Sequence, residues 1–127
     1  MLQDLGLLFF RVSIGLTMML AHGWPKLSGF SEKAATFPGL FGLSSEVSLT
    51  LAVFSEFFCS IALILGVLTR WVSIPLLITM LVAAFMVHGA DPFKKKELAL
   101  MFAFAYTTLA MTGGGKFSID SLIFKKN

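Results

Sequence analysis

Cysteine is almost missing from this chain of 127 residues, where Cys59 stands alone inside an apolar stretch. One thiol excludes an internal disulfide and an internal dithiol redox cycle, and its surroundings read as those of a small buried hydrophobe. Charge is scarce too, with 10 Lys and Arg against 7 Asp and Glu. The net +3 comes from basic residues in the connections and the tail, with no basic stripe carrying interleaved aromatics, so nucleic acid is not an expected partner. There are two histidines, His22 and His88, and no HxxxH-type spacing supports a metal site. The run Gly113-Gly114-Gly115-Lys116 lacks the rest of a phosphate-loop pattern, and no strand precedes it.

What is present is apolar sequence. Hydrophobic residues make up 57% of the chain and come in continuous blocks, too long to be the buried stripe of a water-soluble helix. The lipid bilayer is the partner this implies. The blocks predict an all-α membrane protein with four transmembrane helices, at about 5–22, 46–68, 71–89 and 97–113, each long enough to cross a core of about 30 Å. The acidic start Met1-Leu2-Gln3-Asp4, the interrupting Arg11 and the lack of a small-x-small cleavage pattern read the first block as a retained helix rather than a signal peptide.

Punctuation sets the connections. His22-Gly23-Trp24-Pro25-Lys26 reads as the end of the first helix, and Gly29, Pro38, Gly39 and Gly42 break Leu27 to Ser45 into an interfacial loop. Ser44-Ser45-Glu46 reads as an N-cap, Thr69-Arg70 closes the second span, and Asp91-Pro92 marks a turn. Short turns make the four helices an antiparallel bundle forming a single domain over residues 1–127, with both termini on one side. Arg70, Lys116, Lys125 and Lys126 then fall on one face, and Lys26, Lys33, Lys94, Lys95 and Lys96 on the other. That balance leaves the orientation open.

Ionisable residues inside such helices are functional candidates, because an unpaired charge there costs at least about 2.5 to 3.5 kcal/mol. Arg11 lies two turns into the first helix and Glu56 near the middle of the second. Their depths differ by roughly 8 to 10 Å at 1.5 Å per residue, which suggests an Arg11–Glu56 ion pair. The alternative is an Arg11 that snorkels to the headgroups and a protonated Glu56. His22, His88 and Glu97 gather toward the opposite face, and Arg11, Gly15, Met18 and His22 share one helical stripe, as do Glu97, Met101, Phe104 and Thr108. A pocket reaching from His22 toward Glu56 follows, with Arg11, His22, Glu56, His88 and Glu97 as its candidate residues. Against this, Glu97 also suits a plain helix N-terminus, and the lysine triplet a plain headgroup anchor.

Arg11-Val-Ser-Ile-Gly15, His22-Gly23-Trp-Pro-Lys26-Leu27, Glu56, Leu65-Gly66, Thr69-Arg70, Glu97 and Gly115-Lys116-Phe-Ser-Ile-Asp120 together resemble the DoxX family of small four-helix membrane proteins. The resemblance covers almost the whole chain. Arg11, His22, Lys26, Glu56, Glu97, Lys116 and Asp120 match the family's polar pattern, and Pro25 departs from it. It implies a bacterial inner-membrane, multi-pass protein. Family members are linked to thiosulfate:quinone oxidoreductase as a small subunit and to membrane complexes with superoxide dismutase and a sulfurtransferase, while distant relatives assist receptor assembly. The expectation is an accessory subunit of redox or thiol-stress metabolism that binds a quinone or another lipophilic ligand. Its alternative is a scaffold that recruits partner proteins. With one cysteine and no cofactor motif, redox activity would require a bound quinone or a partner subunit, and a homo-oligomer is compatible with either reading.

Overall fold

A computed structural model describes residues 1–124, so Lys125 and Lys126 lie outside the described residues. Every regular element among these is helical: α1 Leu2–Ser28, α2 Phe30–Ala34, α3 Ser45–Leu65, α4 Thr69–Val87, α5 Phe93–Thr112 and α6 Ile119–Ile123. Three of them, α1, α3 and α4, are long and apolar enough to cross a membrane. α5 has 20 residues and packs along α4, but its first turn carries Lys94, Lys95 and Lys96.

The first helix does not end at Gly23-Trp24-Pro25, as its sequence suggests, but continues to Ser28. A widened π-type turn at Met19–Gly23 interrupts the regular ladder just before Pro25, where the missing proline N–H does least harm. Similar turns occur at Phe54–Cys59 in α3 and Ala83–Val87 in α4. The segment read as a loop carries one short helix, α2.

Ser44 caps α3 by accepting a hydrogen bond from the Val47 N–H at 3.2 Å, with Glu46 in the first turn, as its sequence indicates. At the other end, Gly66 adopts φ +74° and α3 closes with Gly66 N–H to Leu63 O at 3.1 Å and Val67 N–H to Ala62 O at 2.8 Å. The Asp120 carboxylate caps α4 from across the molecule, accepting from Leu68 N–H at 2.6 Å and Thr69 N–H at 2.8 Å.

α1, α3, α4 and α5 meet around one core that includes Met18, Cys59, Leu63, Leu76, Met80, Tyr106 and Leu109. Small residues set how closely α1 approaches α3. A Cβ on Gly23 would lie 2.6 Å from the Glu56 carbonyl oxygen, and one on Gly15 would lie 2.6 Å from Ile64 Cγ1. Phe9, Trp71, Phe104 and Met111 turn outward, where a bilayer would cover them.

Candidate ligand-binding site

The continuation of α1 past Pro25 keeps Lys26 on the helix, and its Nζ donates to Glu56 Oε1 at 2.7 Å. Glu56 sits in the π-type turn of α3 with a side chain only 5% exposed, whereas the Lys26 side chain is 23% exposed. Such turns often occur at functional sites, because the extra residue re-aims side chains that a regular helix would direct elsewhere. A buried carboxylate with a directly bonded cation is the arrangement that a low-dielectric interior demands.

Both members of the pair line a cavity of about 350 Å³ between α3, α4 and the segment after α2. Phe37, Phe41, Leu51, Ile78, Met80 and Val87 form much of its apolar wall, and Ser48, Thr79 and His88 add polar groups. Ser48 Oγ accepts from Leu40 N–H at 3.0 Å, tying the connecting segment to α3. The hydroxyls of Thr79 and Ser55 hydrogen bond at 2.8 Å, joining α4 to α3 beside the cavity. The size and lining suit a small lipophilic molecule with one polar end.

His88 lines the cavity just past the end of α4, with its Nδ1 2.8 Å from Asp91 Oδ2. That hydrogen bond is the main reason the Asp91 carboxyl lies below its usual range; nearby Lys95 and Lys96 add to the effect, and partial desolvation opposes it. His22 lies in a neighbouring groove of about 400 Å³, lined also by Lys26, Lys33 and Thr36, and its ring packs edge-on against Phe102 at 5.9 Å.

The Arg11–Glu56 ion pair expected from the sequence is absent. Arg11 is buried at 1% exposure, but Nη1 donates to Gly114 O at 2.6 Å, and Nη2 donates to Phe117 O at 2.8 Å and Ile64 O at 3.4 Å. Backbone carbonyls in the last turn of α3 and just past the end of α5 present the partial negative charge that the guanidinium neutralises, so it needs no carboxylate partner there. Arg11 therefore belongs to the end of the molecule remote from the cavity. Glu97 is exposed, and its helical stripe with Met101, Phe104 and Thr108 faces outward, while Phe102, Tyr106 and Leu109 face the core. The stripe of Arg11, Gly15 and Met18 is buried, as its spacing suggests. The structure thus brings Glu56 and His88 to one cavity with His22 beside it, and leaves Arg11 and Glu97 apart. Lys26 is the residue that sequence reasoning left out of the site. The signal was available, since it lies four residues beyond His22 on one face, provided the helix runs through Pro25.

The DoxX family model matches residues 6–89, a stretch that includes Arg11, His22, Lys26, Glu56 and His88. The chain belongs to the DoxX family. Its similarity to "Inner membrane protein YqjF" of Escherichia coli (strain K12) is 30% identity over 98% of this chain and 97% of that protein. Two uncharacterized proteins of Haemophilus influenzae (strain ATCC 51907 / DSM 11121 / KW20 / Rd) are each 31% identical, over 80% and 94% of this chain and 71% and 92% of their own lengths. No solved structure matches. With three helices long and apolar enough to cross a bilayer, this DoxX protein is a membrane protein.

Proposed function

We infer that this DoxX protein is a four-span, antiparallel, inner-membrane binding protein whose cavity takes a lipophilic ligand from the bilayer and presents its polar end to Lys26, Glu56 and His88. The observation that carries this reading is the Lys26–Glu56 pair, bonded at 2.7 Å on the wall of an otherwise largely apolar cavity. A carboxylate kept 5% exposed is expensive to hold in a membrane interior, and a ligand that hydrogen bonds to the pair makes use of that cost. A quinone fits the donor set, because Lys26 Nζ and the His88 ring can donate to its oxygens while the apolar wall receives its tail. A bound quinone would supply redox chemistry that the chain's own residues lack; Lys26, Glu56 and His88 would orient it and hold protons at its oxygens. The protein then acts as an accessory or small subunit beside a redox enzyme, as a monomer or a homo-oligomer. The inner-membrane placement follows the relative that carries that name.

Native mass spectrometry of gently solubilised protein, with a short-tailed ubiquinone added, tests the reading. Retention by the wild type, reduced in Glu56→Gln and in the cavity-filling Ala83→Phe, is the expected result. A wild-type chain that retains neither quinone nor any lipid, but carries a co-purified protein, would favour a scaffold that recruits partners.

A further inference from the structure

The cavity and the groove beside it have complementary chemistry. Lys26, Phe37 and Pro38 line both, so the two spaces share one wall and one cation. The groove adds His22, Lys33 and Thr36 and, among the described residues, has no acidic residue in its lining. Glu56 lies on the cavity side, where its charge is matched by Lys26. Glu32, the residue directly before Lys33, lines a different depression with Leu27 and Phe30. Among the described residues Lys33 has no ion-pair partner and is exposed, so its charge faces the groove uncompensated. An apolar slot opening beside an uncompensated cationic groove with a hydroxyl suits a molecule with a tail and an acidic head.

The geometry points to an anionic amphiphile, drawn from the bilayer, as the occupant: its acyl or isoprenoid tail lies in the cavity and its phosphate or carboxylate head rests in the groove among His22, Lys26, Lys33 and Thr36. This rests on the reading above that the cavity takes a lipophilic molecule from the bilayer, and it places the polar head in the groove, with Lys26 common to both spaces. The groove selects the charge of the head and the cavity accepts the tail, so Lys33 determines which lipids bind rather than whether any do. A general attraction of membrane-surface lysines for acidic lipids makes a different prediction, because it would follow the total number of such lysines and not their position.

Native mass spectrometry after exposure to equal amounts of phosphatidylglycerol and phosphatidylethanolamine distinguishes the two. Preferential retention of phosphatidylglycerol is expected, falling about fivefold in Lys33→Gln and unchanged in Lys94→Gln/Lys95→Gln, which removes twice the charge elsewhere. Equal retention of both lipids by the wild type, or an equal loss in the Lys94/Lys95 variant, overturns the assignment. Displacement of phosphatidylglycerol by inorganic phosphate also overturns it, in favour of a free-anion site. Ubiquinone retained without any preference for the anionic lipid refutes this inference alone, whereas a wild type that retains neither refutes the ligand-binding reading with it.

Discussion

Lys26→Met leaves Glu56 with its carboxylate 5% exposed and without its cation. Breaking a buried pair from one side costs about 3 to 5 kcal/mol, so the thermal midpoint in detergent should fall sharply. Lys26→Met/Glu56→Met should recover most of the loss, since replacing both partners removes the uncompensated charge. The single and double variants melted side by side check this, and equal midpoints for the two would mean the pair is not coupled. Asp91 behaves differently because it lies at the surface. Its folded-state pKa is lowered by the His88 hydrogen bond, so its contribution to stability is present above the unfolded value and is lost as pH falls through the folded one. Midpoints measured down the acidic range should decline less in Asp91→Asn than in the wild type. Glu56 was legible in the sequence as an expensive buried charge, but its partner was not. Pairing by side-chain charge alone pointed to Arg11, while the acceptors that hold Arg11 are carbonyls, which every residue carries and no sequence pattern marks.

Apolar runs mark α1, α3, α4 and α5 as long helices, and three of them, α1, α3 and α4, are long and apolar enough to cross a bilayer. Their ends are less legible. Proline normally halts a helix, yet α1 passes through a widened turn at Met19–Gly23 and runs on over Pro25 to Ser28. That extension carries Lys26 into the site. The start of α4 depends equally on something distant, the Asp120 carboxylate, whose place on a short helix after three glycines has no periodic signal. Asp120→Ala should destabilise the protein by about 0.5 to 2 kcal/mol, the usual range for a lost N-cap, and expose the Gly66–Thr69 turn to protease. Thermal melts with limited proteolysis check both effects, and a melt unchanged within error would show that α4 supplies its own cap.

For the whole molecule the main question is how many helices cross. A fourth crossing by α5 puts Ala90 and Ser118 on opposite faces of the membrane. Single cysteines at these positions in a Cys59→Ser background should therefore label from opposite sides of sealed vesicles with an impermeant maleimide. Labelling from the same side would leave α5 lying along the surface. The way Arg11 is held also bears on biogenesis. Its tightest acceptor, Gly114 O, is 103 positions later in the chain. A ribosome therefore delivers the cation to the membrane long before it makes the carbonyls that neutralise it. During that interval Arg11 has only the Ile64 carbonyl, at 3.4 Å, of its three acceptors, against a cost of at least about 2.5 kcal/mol for an unpaired charge. α1 is thus made before α3, α4 and α5 but secured only after them, and nascent chains stalled before Gly114 are the ones that membrane quality-control proteases should find.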